Sequence, residues 1–182
     1  MNKLEHINIR KATLKDAKNL AVLLQQVWIA TYATVGIREE FSDYVLSAFT
    51  PDKVLQTLQN KSTYMYVAVK EHHIIGCVEI NVQNEPPIEG FNGAEISVLY
   101  LLECFTRQGI GSALLNHAVS ECIAMGYDCV WLTVFHENER ALRFYHTHHF
   151  LERGNTFFEM NGNRYENRIL QREFLPVPLI TK

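Results

Sequence analysis

Two glycines in the middle of the chain have the spacing of an anion-binding turn. Gly109 and Gly111 stand in the segment Phe105-Thr106-Arg107-Gln108-Gly109-Ile110-Gly111-Ser112, between a predicted strand and a predicted helix. Glycine lets the backbone turn tightly and approach a ligand closely. The first N–H groups of a helix are unpaired and carry a partial positive charge. We therefore expect a phosphate or pyrophosphate site here, with Arg107 adding a cation. The alternative is that the glycines serve only the turn.

Two common nucleotide-binding motifs do not fit this segment. A Walker loop needs Gly-Lys-Ser/Thr, which does not follow here. A dinucleotide-binding turn needs a third glycine and an early βαβ unit, whereas the strands before this turn form a predicted hairpin. Dinucleotide binding is therefore disfavoured.

Asn138 and Tyr145 are seven residues apart in a predicted helix. That spacing is two helical turns, so both side chains lie on one face and can meet one ligand. A tyrosine hydroxyl has a pKa of about 10 and can donate a proton at neutral pH. The alternative for Tyr145 is an aromatic side chain that packs on the sheet.

An aromatic and acidic stretch over residues 27–49 could bind a cationic amine. It contains Trp28 and Tyr32, followed by Arg38-Glu39-Glu40-Phe41. Aromatic faces and carboxylates both attract an ammonium group. Aromatic packing within a helical arm is the alternative.

Metal binding and covalent catalysis are both disfavoured. His146, His148 and His149 are clustered, but residues two apart on a helix point in different directions, and no cysteine or acid completes a metal site. We expect no metal. Cys104 lies near the glycines without an evident activating base, so no covalent nucleophile is predicted.

Hydrophobic periodicity and turn residues predict an alternation of strands and helices. The predicted strands are residues 7–10, 64–69, 74–82, 94–102, 129–135, 150–160 and 165–173, and the predicted helices start near Ala17, Glu40, Pro51, Gly109 and Asn138. Thr13 and Asp16 form a predicted capping box, and Asn161-Gly162 predicts a tight hairpin turn. The fold class is α+β, or layered α/β, with helices on a mixed, mostly antiparallel sheet.

Composition bounds the remaining possibilities. The chain has 182 residues, of which 47% are hydrophobic and 20% charged, which is typical of a globular domain. We expect one domain over residues 1–175 and a tail over residues 176–182. The net charge of −3 disfavours a general nucleic-acid binder. No signal peptide or membrane span is predicted, and four cysteines without a CxxC pair favour a reduced, cytoplasmic setting.

The glycine segment and its surroundings resemble the GNAT superfamily of acetyl-CoA-dependent N-acetyltransferases. The first motif of that family, Gln/Arg-x-x-Gly-x-Gly/Ala after a strand, is similar to Thr106–Gly111 after Val98-Leu99-Tyr100-Leu101. The second, Val-x-x-x-Asn-x-x-Ala-x-x-x-Tyr-x-x-x-Gly-Phe, is similar to Val134–Phe150. The resemblance extends from about Ile7 to Phe174. It implies a GNAT-like sheet flanked by helices on both faces.

The resemblance implies roles for particular residues. Leu99 and Leu101 would present backbone groups to the pantetheine arm of coenzyme A. Asn138 would hydrogen-bond that arm, and Tyr145 would point its hydroxyl at the sulfur and protonate the leaving thiolate. The pyrophosphate would be held by the main-chain N–H groups of Arg107, Gln108, Gly109, Ile110, Gly111 and Ser112.

Glu95 is the predicted general base. In the histone-acetylating branch of the family a glutamate at this offset from the glycines takes a proton from the amine. By the strand period of two, Glu95 is expected on the same face as Ser97, Leu99 and Leu101. The alternatives are a solvated carboxylate at Glu95 and a base at Glu79 on the preceding strand.

Two positions depart from the family pattern. Thr106 replaces the usual Gln or Arg, and we expect the backbone cradle to tolerate it. His149 replaces a Gly at a helix end that often needs a positive φ, so the local turn is in question.

The expected function is transfer of acetyl from acetyl-CoA to a primary amine by direct attack in a ternary complex. Part of the sequence also resembles bacterial spermine/spermidine N-acetyltransferases, which favours a small amine such as a polyamine. The residues that carry this resemblance are Trp28, Thr31 and Tyr32, followed by Tyr44, Ala48 and Phe49. The alternatives are acetylation of a protein lysine or N-terminus and a non-catalytic CoA-binding regulatory domain. No nucleic acid or membrane partner is expected, and a homodimer is compatible with the sequence.

Overall fold

The secondary structure follows the predicted alternation closely. The computed structural model describes residues 6–85 and 92–174. Its strands are β1 (Ile7–Lys11), β2 (Thr63–Lys70), β3 (His73–Asn81), β4 (Gly93–Leu101), β5 (Cys129–Phe135), β6 (Leu151–Met160) and β7 (Asn163–Glu173). Its helices are α1 (Ala17–Tyr32), α2 (Glu39–Ala48), α3 (Pro51–Gln59), α4 (Ile110–Ala124) and α5 (Glu139–Thr147).

The seven strands form one mixed sheet, in the order β1-β2-β3-β4-β5-β7-β6. Neighbouring strands are antiparallel except β4 and β5, which are parallel. The predicted mixed, mostly antiparallel sheet is confirmed. The Asn-Gly turn between β6 and β7 is confirmed as well, because Asn161 has φ +46° and Gly162 has φ +81°.

Helices cover both faces of the sheet, and each face has its own hydrophobic core. On one face α4 buries Leu114 and Leu115 against β2–β5 and β7. On the other face α1 buries Leu20 and Leu24, four residues apart on one helical stripe, with Val54 of α3. The central strands are therefore held between two packed layers of helices.

The capping box that precedes α1 is confirmed and is reinforced by an ion pair. Asp16 Oδ2 accepts hydrogen bonds from the Thr13 N–H at 2.7 Å and the Thr13 hydroxyl at 2.9 Å. The Arg10 guanidinium donates to both Asp16 oxygens at 2.8 and 2.9 Å. Arg10 therefore lowers the pKa of Asp16 from 3.8 to about 2.

The parallel strands β4 and β5 separate soon after they meet. In the described residues they pair at Gly93, Ala94 and Glu95 with Cys129–Trp131, and no further pairing follows. The second half of β4 therefore has unpaired backbone groups on the side that faces β5. This opening between two central strands is where the cavity described below lies.

A β-bulge on β4 reverses the alternation of its side chains. Glu79 of β3 pairs with Val98, but the next residue, Ile80, pairs with Ile96, so Ser97 is an extra residue. Ala94 and Ile96 consequently pack in the same core as Leu99 and Leu101. The prediction that Glu95 shares a face with Leu99 and Leu101 is wrong, because it assumed an uninterrupted period of two.

Several predictions lie wholly or partly outside the described residues. The predicted tail at 176–182 does, and residues 86–91, between the predicted strands 74–82 and 94–102, are not described either. None of the helices in the described ranges is long and apolar enough to cross a membrane. All four cysteines are unpaired.

Candidate active site

A cavity of about 620 Å³ occupies the opening between β4 and β5. One end reaches the start of α4, the middle is bordered by α5, and the other end is enclosed by α1, α2 and β6. Among the described residues, its charged lining side chains are three arginines, Arg107, Arg140 and Arg143. Arg107, next to the start of α4, and the aromatic surface are thus at opposite ends of one cavity, with Arg140 and Arg143 on α5 between them.

The start of α4 has the backbone geometry that the anion-cradle prediction requires. Gly109 caps the helix with φ +83°, and Arg107 before it has φ +57°, a left-handed conformation that costs a non-glycine residue about 1 kcal/mol or more. Within the described chain, the helix N–H groups of Ile110, Gly111 and Ser112 have no side-chain cap, and pairing begins with Ala113 N–H to Gly109 O at 3.0 Å. Three N–H groups are therefore free to bind an anion.

Most of the predicted cofactor-binding residues line this cavity. Those that do are Leu99, Leu101, Arg107, Gly109, Gly111, Ser112, Asn138 and Tyr145. The side chains of Gln108 and Ile110 do not. Gln108 Nε2 donates to the Cys104 carbonyl at 3.1 Å, and Ile110 is fully buried in the core. Gln108 and Ile110 can therefore contribute only their backbone N–H groups to cofactor binding.

Asn138 and Tyr145 both face the cavity, as their spacing predicts. The Asn138 side chain also has a structural role, because its Oδ1 accepts from the Ala141 N–H at 3.1 Å and caps α5. Its amide Nδ2 remains available for a ligand. The predicted bond to a cofactor arm would therefore use the amide as donor.

The Tyr145 hydroxyl has the properties of a proton donor. The residue is 8% exposed, and no hydrogen bond to its hydroxyl is seen within the described part of the chain. Burial raises the pKa of Tyr145, and nearby Tyr32 adds to the effect. The hydroxyl therefore stays protonated at neutral pH until a leaving group of sufficient basicity forms beside it.

Two carboxylates lie close together near the bulge of β4. Glu79 Oε1 accepts a hydrogen bond from the Ser97 hydroxyl at 2.7 Å. Glu95 Oε2 accepts from Asn84 Nδ2 at 2.6 Å and borders a second cavity of about 260 Å³. Burial raises the pKa of both glutamates, and the charge of Glu95 raises that of Glu79 further. Ser97 lines the main cavity, whereas neither carboxylate does.

The far end of the cavity is aromatic. Trp28, predicted as a substrate residue, has its ring centroid 4.7 Å from that of Tyr32 and 5.0 Å from that of Tyr44. Burial raises the pKa of Tyr32 to about 12, so this ring is neutral. Phe49, Phe135 and Phe158 complete the aromatic end. The sequence analysis did not identify Phe135 and Phe158, which come from distant strands.

The acidic part of the predicted substrate stretch is not brought to the cavity. Glu40 Oε1 accepts from the Tyr165 hydroxyl at 2.8 Å and from Asn163 Nδ2 at 3.0 Å. Arg38 is 3.1 Å from the other Glu40 oxygen. These partners lower the pKa of Glu40, Asn163 most strongly. Glu40 therefore holds α2 against β7, and its use in binding an amine is not supported.

Comparison with known proteins places these features in a family. The sequence model of the Acetyltransferase (GNAT) family matches residues 28–150, which include the cradle, Asn138 and Tyr145. The chain belongs to the GNAT family of acetyltransferases. An uncharacterised N-acetyltransferase of Mycobacterium tuberculosis is 31% identical over 162 residues, covering 89% of this chain and all of the relative.

Solved structures confirm the fold of this GNAT acetyltransferase. The PaiA N-acetyltransferase of Thermoplasma acidophilum, in complex with coenzyme A, superposes with a TM-score of 0.73 at 23% identity, covering 92% of this chain and 99% of that one. YncA of Salmonella typhimurium, solved with acetyl-CoA, has a TM-score of 0.72 at 16% identity, covering 93% and 94%. At such identities the likeness establishes the fold alone.

The two departures of this GNAT acetyltransferase from the family pattern have local explanations. Thr106 donates its hydroxyl to the Glu103 carbonyl at 2.9 Å and so stabilises the turn before the cradle. His149 has φ +64°, as expected for a position that favours glycine. The N–H groups of Phe150 and His149 bond to the Tyr145 and His146 carbonyls at 3.1 Å each, which is a Schellman ending of α5.

Two of the three clustered histidines, His146 and His148, make separate side-chain contacts. His146 Nδ1 is 3.2 Å from the Phe150 carbonyl. His148 Nδ1 donates to the Phe144 carbonyl at 2.8 Å, and its Nε2 is 2.9 Å from the Ser112 hydroxyl. No group of three metal-ligating side chains is found in the ranges that the structure describes.

Proposed function

We propose that this N-acetyltransferase transfers the acetyl group of acetyl-CoA to a primary amine of a small molecule, by direct attack in a ternary complex. The observation that carries the proposal is a single cavity with the anion cradle at one end, Tyr145 along its side and an aromatic surface at the other. Such a cavity can hold both reactants at once, which converts the reaction into a step within one complex.

The cofactor fits the cationic end of the cavity. Coenzyme A carries phosphates, which the free N–H groups of α4 and the guanidinium of Arg107 can bind. Its pantetheine arm carries amides, which can pair with the free backbone of β4 beside Leu99 and Leu101 as an added strand would. Binding of coenzyme A by PaiA and of acetyl-CoA by YncA supports the same use here.

The remaining groups supply proton transfer. Tyr145 protonates the thiolate as the C–S bond breaks, and a carboxylate removes a proton from the amine. Glu95 is the first candidate for that base, from its place in the sequence, and Glu79 is the second. Both have a raised pKa, which suits a proton acceptor that works near neutral pH.

The aromatic end supports an amine with an apolar body more than one with several charges. Trp28, Tyr32 and Tyr44 can contact an ammonium through their ring faces. In the described part of the chain no carboxylate lines the main cavity, so a second ammonium of a polyamine would have no ionic partner there. The preference for polyamines stays a prediction.

An amine panel tests the proposal directly. Release of free thiol from acetyl-CoA is measured with spermidine, a phenylalkylamine, an amino acid, and peptides that carry a free N-terminus or lysine. Turnover with a small amine and none with the peptides supports the proposal. A preference for the peptides favours protein acetylation instead, and stabilisation by coenzyme A without thiol release from any acceptor favours a regulatory CoA-binding domain.

A further inference from the structure

Ser97 lies between the cavity and the half-buried carboxylate of Glu79. As the bulged residue of β4 it has no partner on β3, which releases its side chain from the regular alternation. It lines the main cavity, and its hydroxyl donates to Glu79 Oε1 at 2.7 Å. A group bound in the cavity can therefore reach Glu79 through one hydroxyl.

Glu95 has a less direct relation to the reacting atoms. Its carboxylate is held by Asn84 and borders the smaller cavity, which shares Thr133, Phe158 and Asn167 with the main cavity. The bulge also removes it from the face on which Leu99 and Leu101 lie. Among the described side chains that line the main cavity, none hydrogen-bonds to Glu95, whereas the Ser97 hydroxyl hydrogen-bonds to Glu79.

We propose that the amine loses its proton through Ser97 to Glu79, so that Ser97 is a catalytic residue and Glu79 the general base. This inference rests on the proposed acetyl transfer to an amine. A serine hydroxyl can accept one hydrogen bond while it donates another, which is what a proton relay needs. The Glu79 carboxylate, on the neighbouring strand β3, takes up the proton without lining the cavity itself.

Every proton in the step has a destination. The substrate ammonium gives a proton to Ser97 Oγ while Ser97 gives its own to Glu79 Oε1, which leaves a neutral amine and a protonated Glu79. The nitrogen lone pair forms the C–N bond to the thioester carbonyl carbon. The C–S bond breaks with its electron pair on sulfur, and Tyr145 protonates the thiolate. The surplus proton on nitrogen returns to the Tyr145 oxygen, and Glu79 releases its proton to water.

The surroundings of Glu79 are consistent with a base. Burial raises its pKa, the Ser97 hydrogen bond opposes that effect, and Glu95 of β4 raises the pKa further. Burial raises the pKa of Cys77 on the same strand, and the charge of Glu79 raises it further. Its cross-strand partner on β2 is the uncharged Met65. The carboxyl group thus has a neighbour that favours proton uptake and no cation fixed beside it among these elements.

The test compares kcat of Glu79→Gln, Ser97→Ala, Ser97→Thr and Glu95→Gln with the best amine of the panel. Glu79→Gln should lower kcat at pH 7 about 100-fold or more, and this deficit should narrow at pH 9, where the free amine is commoner. Ser97→Ala should lower kcat about tenfold, because a water in place of the hydroxyl restores part of the path. Ser97→Thr, which keeps the hydroxyl, should retain most activity.

The double variant Glu79→Gln/Ser97→Ala should be no slower than Glu79→Gln alone, because both residues serve one path. The thermal shift with coenzyme A should match wild type in every variant, which shows that each is folded. Ser120→Ala on α4 and Glu71→Gln at the β2–β3 turn, both exposed, are the matched controls.

Three outcomes overturn the relay while leaving the proposed function intact: wild-type kcat in Ser97→Ala, a larger loss in Glu95→Gln than in Glu79→Gln, or additive losses in the double variant. Absence of thiol release by the wild-type enzyme with every acceptor overturns the proposed function, and the relay with it.

Discussion

Gly111 is the position where folding and cofactor binding can be separated most sharply. A Cβ atom built on Gly111 would lie 3.6 and 3.7 Å from two ring carbons of Phe144, which is ordinary van der Waals contact. The residue is in the first turn of α4, and its φ is not positive. Alanine is favoured over glycine in a helix by up to about 1 kcal/mol. Gly111→Ala should therefore be at least as stable as wild type without ligand.

Gly111→Asp should also fold normally but should bind coenzyme A poorly. A carboxylate in the first turn interacts favourably with the helix dipole, so the free protein is not destabilised. At roughly 5 Å and an effective dielectric constant of about 20, the repulsion between that carboxylate and one phosphate charge is about 3 kcal/mol, or about 200-fold in affinity. Gly111→Asn has nearly the same bulk without the charge, so the ratio of the two affinities isolates the electrostatic contribution.

The assay is a calorimetric titration with coenzyme A at low and high ionic strength, together with thermal unfolding of each free variant. We expect the difference in affinity between Gly111→Asp and Gly111→Asn to shrink as salt screens the charge. Equal affinities of these two variants at low ionic strength would refute the assignment of the phosphate site to the start of α4. A lower melting temperature for free Gly111→Ala would refute the steric reasoning.

Three further predictions concern single residues. Tyr145→Phe should lower kcat by about 10²–10⁴-fold with little change in coenzyme A affinity; equal losses in both would mark Tyr145 as a packing residue. His149→Gly should raise the free energy of unfolding by about 1 kcal/mol, since φ +64° disfavours a residue with a Cβ; Gly126→Ala, at φ +86°, should lower it, and denaturant unfolding measures both. The depressed pKa of Asp16 stabilises the fold above its ordinary value of 3.8, and this stabilisation should be lost as the pH falls towards 2. Asp16→Asn should therefore lose about 2 kcal/mol at pH 7 and almost nothing at pH 2, and equal losses at both pH values would exclude the ion pair with Arg10 as the cause.

The secondary structure, and the position of the glycine turn and of the Asn138–Tyr145 face along the cavity, were predictable because their signals are local. The bounds of β5 coincide with the predicted Cys129–Phe135, since a short apolar run between turn residues is a strand signal in itself. Asn161-Gly162 predicted its turn by the backbone conformations that only such residues adopt readily. The Gly109–Gly111 cradle and the Asn138–Tyr145 face lie within single elements, so spacing alone describes them.

The acceptor half depended on contacts between distant segments. Phe135 and Phe158 line the cavity from β5 and β6. The Glu40 carboxylate accepts a hydrogen bond from the Tyr165 hydroxyl, 125 residues away in sequence. The placement of Glu95 was mispredicted because one extra residue, Ser97, reverses every side chain beyond it on β4. A bulge is a property of how two strands pair, and pairing is decided by the packing of both faces of the sheet, so a periodic pattern in one strand carries no signal for it.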